Sequence, residues 1–158
     1  MAVQFVDEKK ELESSNFPIK PDDLIVLARE TIGKLTGLTD DGECLAEDFE
    51  FVAPIIGPLG KQEFLKAVKG FDLAKAFPDL QTRYYNVHCD PFDHDRVWYM
   101  TRPLATHKGS LFGKEPSGVR IEAPPQANSL RFNAQGKVKE YTIGYVIDRR
   151  IGNTGGLG

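Results

Sequence analysis

The sequence predicts an α+β fold, and three observations carry that prediction. Apolar residues recur at three- and four-residue steps between residues 21 and 77, as on the buried stripe of a helix. From Leu80 onward the texture changes to short runs of β-branched and aromatic residues. Turns rich in Gly, Pro, Asn and Asp separate those runs. Helices first and hairpin-linked strands later is the order of a helix layer packed on a mainly antiparallel sheet. The 158 residues suit one domain that buries roughly 70% of its unfolded surface.

Residues 1–20 read as a charged N-terminal arm with Phe17 and Ile19 as anchors, and 21–150 as the domain proper. Pro21, Asp22 and Asp23 mark a helix start, because proline fits the first turn and acids suit the positive end of the dipole. Leu24, Ile25, Ala28, Ile32 and Leu35 form its stripe, and Gly37 is placed to stop it. Glu43 to Ala46 reads as a helical turn before a short strand, Phe49 to Ala53. Pro54, Gly57, Pro58 and Gly60 read as a turn. Lys61 to Val68 is a second helix with Phe64, Leu65 and Val68 inward, and Phe71 to Phe77 a third that Pro78 ends. Four strands follow: Leu80–Cys89, Arg96–His107, Arg120–Asn133 and Val138–Arg149. They are joined by the turn at 90–95, the long loop at 108–119 and the tight turn at 134–136. Residues 151–158 form a Gly-rich tail expected to fray.

Composition narrows the function. Twenty basic residues against 23 acidic leave a net charge of −3 with no run of either sign, so no basic field awaits nucleic acid. No apolar stretch approaches the ~20 residues of a membrane helix. The N-terminus has neither a signal-peptide core nor an Arg-rich transit character, so a cytoplasmic location is expected, with an organelle location after loss of a presequence left open. Cys44 and Cys89 fit no metal spacing or disulfide framework and read as buried thiols. The sequence has no P-loop, no GxGxxG after a strand and no GxSxG elbow. His88, His94 and His107 make no metal pattern. Neither cofactor nor metal is expected.

Four stretches together resemble one family. LAEDFEFVAPIIGPLGKQEFLKAV (45–68) is similar to a first strand, turn and second helix, and AFPDLQ (76–81) to the junction into a sheet. THKGSLFGKEPSG (106–118) is similar to a hairpin loop, and LRFNAQGKVKEYTIGYVIDRR (130–150) to a closing hairpin. Their order and spacing across residues 24–150 are those of the SnoaL-like, polyketide cyclase-like branch of the NTF2-like superfamily. The resemblance implies a cone: N-terminal helices packed on a curved, mainly antiparallel sheet, a pocket between them, and commonly a dimer. It does not carry a function, because that superfamily holds isomerases, cyclases, dehydratases, hydrolases and non-enzymatic assembly domains.

The resemblance implies a role for Asp148, since SnoaL-like cyclases use an aspartate near this strand end as the acid/base. By strand phase Val138, Glu140, Thr142, Gly144, Val146 and Asp148 share one face, with Tyr141, Ile143, Tyr145 and Ile147 on the other; a surface ion pair with Arg149 or Arg150 is the alternative. His107 is a second acid/base candidate, histidine being the side chain suited to that work near neutrality, or it simply opens the loop and bonds to backbone. Gln126 and Asn128, with Leu130, are placed to line a pocket, as buried amides need partners. Tyr84, Tyr85, Tyr141 and Tyr145 offer hydroxyls, Tyr145 for a developing oxyanion. Trp98 supplies apolar surface. Arg102 either neutralises an anionic ligand or forms a surface ion pair. Pro124-Pro125 predicts an edge or a bulge. Two functions follow as expectations. One is a cofactor-independent cyclase or isomerase that moves a proton on an apolar carbonyl substrate. The other is a non-catalytic module that binds an apolar ligand, as a homodimer or docked on a larger complex.

Overall fold

The computed structural model of the chain describes residues 1–36, 38–54, 56–70 and 73–145. Its elements run α1 (Glu8–Glu13), α2 (Pro21–Leu35), β1 (Leu45–Ala53), β2 (Ile56–Gly60), α3 (Lys61–Gly70), α4 (Leu73–Ala76), β3 (Tyr84–Cys89), β4 (Arg96–Thr101), β5 (Leu104–Thr106), β6 (Arg120–Glu122), β7 (Gln126–Phe132) and β8 (Val138–Tyr145). Six strands form one curved sheet in the order β2-β1-β8-β7-β4-β3, and β5 and β6 pair separately. All neighbours in the large sheet are antiparallel except β1 and β8.

Helix α2 forms where its stripe predicts. Leu24, Ala28, Thr31 and Ile32 are buried, Pro21 stands in the first turn, and Asp22 and Asp23 face the positive end of the dipole. The helix closes with Thr36 N–H donating to the Ile32 carbonyl at 3.0 Å; the expected stop, Gly37, lies outside the described residues. Helix α3 starts where Gly60 N–H donates to Glu63 Oε2 at 3.1 Å, and it buries Phe64 and Leu65. The core between helices and sheet gathers Leu24, Ala28, Phe49, Phe64, Val97, Leu130, Phe132 and Val138.

Several expectations are corrected. Residues 8–13 of the arm form α1, capped by Asp7 accepting from Lys10 N–H at 3.2 Å. The helical turn expected at 43–46 gives way to β1, because Leu45 and Ala46 are buried in strand geometry. The segment read as a turn up to Gly60 contains β2, which pairs back on β1. The long strand expected at 96–107 breaks at Arg102 and Pro103, and the one at 120–133 breaks at 123–125. Prolines, which cannot donate to a ladder, stand at both breaks. At the first break the chain leaves the large sheet for the β5–β6 pair, and at the second it returns to the large sheet as β7.

Strand phase decides what faces inward. In β4, Val97, Tyr99 and Thr101 are buried while Arg96, Trp98 and Met100 are half-buried on the outer face. Across the sheet Tyr99 pairs with Asn128 and Asn128 with Ile143, and directly opposed residues share a face. One phase expectation fails. A register shift between Arg131 and Phe132 sets Val138 beside Phe132 in the core, while Glu140 stays opposite Arg131 outside.

Candidate functional site

Between α2, α3 and α4 on one side and the inner face of the sheet on the other lies a cavity of about 530 Å³. Its walls follow from the elements around it. Ile32 and Leu35 come from the buried stripe of α2, Phe64 and Val68 from α3, and Phe77, Pro78 and Leu80 from the turn after α4. The sheet contributes Phe51, Tyr84, Tyr99, Tyr141 and Ile143. None of the described lining residues is charged, so a ligand is met by apolar and aromatic surface with a few hydroxyls.

Three of those hydroxyls are phenolic, and their protons can be traced. Thr36 Oγ1 donates to the Ile32 carbonyl at 2.9 Å, which uses its only proton, so in the 2.6 Å contact with Tyr84 the phenol is the donor. The phenols of Tyr99 and Tyr141 are hydrogen-bonded to each other. That bond uses one of the pair's two protons, so the proton of Tyr84 is committed to the protein and one proton of the Tyr99–Tyr141 pair is left for a ligand. Burial dominates at both inner phenols and pushes each above the ordinary tyrosine value, with the neighbouring phenols adding to the rise at Tyr99. Both stay protonated at neutral pH.

An amide chain lies beside the phenols. Asn128 Nδ2 donates to Thr101 Oγ1 at 3.3 Å, and Thr101 donates to Gln126 Oε1 at 3.1 Å. Asn128 is 2% exposed and its Oδ1 has no partner, leaving a buried acceptor between Tyr99 and Ile143 in the sheet.

The other candidates lie elsewhere. Trp98 stands on the outer face, its Nε1 donating to Asp90 Oδ2 at 2.7 Å with the Arg96 guanidinium 5.2 Å above the ring. Arg102 donates to Glu122 Oε1 at 2.9 Å, and Arg83 reaches the same oxygen at 3.0 Å, an ion pair of the kind read as the alternative. Tyr145 ends β8. Asp148 lies outside the described residues. His107 is buried, but it sits in a separate small cluster with Ala76, Phe77 and Ala105 rather than in the cavity wall. Sequence reasoning missed Tyr99. The signal was present in β4, whose other face is bracketed by Arg96 and Arg102 and therefore had to be the outer one. Among the described residues no three His, Cys, Asp or Glu side chains converge as a metal would need.

Solved structures share this architecture. AclR of Streptomyces galilaeus, a candidate hydroxylase, superposes with a TM-score of 0.64 at 24% identity, covering 79% of this chain and 76% of its own. A SnoaL-like candidate polyketide cyclase of Shewanella putrefaciens CN-32 gives 0.60 at 14% identity, over 92% of this chain and 91% of its own. IdmH of Streptomyces antibioticus, a candidate polyketide cyclase, gives 0.58 at 20% identity, over 78% and 90%. The chain has the SnoaL-like, NTF2-like fold. The cavity therefore occupies the interior of an NTF2-like cone, with the phenols on its sheet wall. No protein-family model and no curated protein sequence matches the chain. No helix of the cone among the described residues is long and apolar enough to cross a membrane.

Proposed function

We propose that the protein binds an apolar, carbonyl-bearing small molecule in the cone and shifts a proton beside that carbonyl, as a cofactor-independent cyclase or isomerase does. The observation that carries this reading is the one uncommitted proton of the Tyr99–Tyr141 pair, set in an uncharged aromatic wall. A phenol held protonated by burial and braced by its partner phenol is preorganised to donate to a carbonyl oxygen as negative charge develops there. Asn128, with its unpartnered Oδ1, is paired with Tyr99 in the sheet but is not among the described residues lining the cavity, so it is given no role here. Asp148 is assigned the base on the family resemblance. The similarity to candidate polyketide cyclases supports the reaction class only through the fold.

One observation favours the non-catalytic alternative: no carboxylate or imidazole is among the described lining residues. A single experiment separates the two. In D2O the methyl protons of 2-acetylnaphthalene exchange slowly, and NMR follows the exchange with protein added. The wild type is expected to exceed the buffer rate. Tyr141→Phe is expected to lose about a hundredfold of that excess, the usual cost of removing an oxyanion donor. Tyr85→Phe, an exposed phenol outside the cavity wall, is expected to change nothing. Asp148→Asn at full rate would remove Asp148 from the mechanism. Saturable binding with exchange at the buffer rate would contradict catalysis and leave a binding module.

A further inference from the structure

His107 is 2% exposed, and its Nε2 has no hydrogen-bond partner. Its other nitrogen is fully engaged: Ser117 N–H donates to Nδ1 at 3.2 Å, and Ser117 Oγ lies 3.0 Å from the same atom. A ring nitrogen that accepts from a backbone N–H carries no proton, so the imidazole proton is on Nε2. Backbone bonds hold this arrangement: His107 N–H donates to the Val119 carbonyl and Gly118 N–H to the His107 carbonyl, each at 2.9 Å. The loop is also pinned to α4. Lys108 N–H donates to the Ala76 carbonyl at 2.9 Å, and a Cβ on Gly109 would collide with the Lys75 carbonyl oxygen.

The result is a buried N–H of fixed direction with nothing to receive it. Its ring neighbour Phe77 packs with Ala76 and Ala105, with Leu111 and Ile121 against them. An orphaned buried donor of this kind is destabilising unless something receives it. The Ser117 contacts occupy Nδ1 and leave Nε2 unengaged. The ring of Phe77 lies 5.7 Å from the imidazole, centre to centre, and Phe77 also lines the cavity. Phe77 is thus a neighbour of both the histidine and the space assigned to the ligand.

We infer that His107 is a second oxygen-binding group of the cone. Its Nε2–H donates to a carbonyl or ether oxygen on a ligand that reaches past Phe77 while its apolar body fills the cavity. Ser117 is the positioning residue that fixes the tautomer. The preferred ligand therefore carries two separated oxygens, one for the Tyr99–Tyr141 pair and one for His107. This inference rests on the cavity reading above.

The test compares 2,6-diacetylnaphthalene with 2-acetylnaphthalene. The wild type is expected to bind the diketone about tenfold more tightly, the worth of one added buried hydrogen bond. In protein labelled with 15N at histidine, the Nε2–H resonance of His107 is expected to move with the diketone. His107→Asn keeps an acceptor near the Nδ1 position for Ser117 but has nothing at Nε2; it should bind the monoketone as the wild type does and lose the diketone advantage. His107→Gln, which restores an amide N–H near Nε2, should recover part of it. An advantage that survives in His107→Asn overturns the inference. So does an unmoved Nε2–H in diketone-saturated wild type, or a proton found on Nδ1. Failure of both ketones to bind refutes the cavity reading itself, and this inference falls with it.

Discussion

The chemistry of the cone rests on where three phenol protons go. Tyr84 gives its proton to Thr36, and the Tyr99–Tyr141 pair spends one of its two protons on its own bond and keeps one to offer. Burial raises Tyr99 and Tyr141, so the folded protein favours their neutral forms beyond the point at which the unfolded chain ionises. Their contribution to stability is complete below the ordinary tyrosine value of about 10, and it is lost as pH rises from there toward the raised folded values. Of the five tyrosines, Tyr99 and Tyr141 are expected to resist an absorbance titration until the protein unfolds, and Tyr99→Phe should delete one of those two late phenols. Smooth ionisation of all five while the circular dichroism stays native would contradict the assignment. The thiols are a quieter case of the same physics: burial, with Asp40 near Cys44 and Asp22 near Cys89, pushes each up to about 11, as suits packing residues.

At the scale of elements, the turn joining β3 to β4 holds the outer face of the sheet in register. Asp95 receives Lys139 Nζ at 2.7 Å and Arg131 Nη2 at 3.1 Å, which binds the turn to β7 and β8 together. Burial alone would raise this carboxyl, but the hydrogen bonds from Lys139 and Arg131 outweigh it and hold it below the ordinary value. The stability it confers is full above the ordinary aspartate value of about 4 and fades as pH falls through the lower folded value. Asp95→Asn is expected to cost about 2 kcal/mol in urea unfolding at pH 7, a typical loss for hydrogen bonds to charged groups. The difference from wild type should narrow toward pH 3; a constant difference would mean the carboxylate charge is not what matters there. Much at this scale was legible. The stripe of α2 and the inward side of α3 could be read from spacing. The strand breaks at Pro103 and Pro124-Pro125 were half-legible: the second pair predicted an irregularity, but that the chain would change sheets there depends on packing β5 and β6 against α4, which no local pattern records.

For the whole molecule, sequence and structure agree on a cone and differ on which side of its wall the aromatics stand. Trp98 is the most conspicuous apolar residue of β4, yet it faces outward under Arg96, and the less conspicuous Tyr99 faces the cavity. A single-residue phase shift reverses that choice, which is why one strand read alone could not settle it. Asn128 was readable as an inward amide because Leu130 follows two residues later on the same face. The free proton of the Tyr99–Tyr141 pair was not, since it depends on a bond between residues of strands two places apart in the sheet. The central claim is that a ligand enters the cone interior and not the outer face. Intermolecular NOEs from bound 2-acetylnaphthalene test it most directly. They are expected to reach the methyl groups of Ile32, Leu80 and Ile143 and the ring of Tyr141; NOEs confined to Met100, Ala127 and the Trp98 ring would contradict the account.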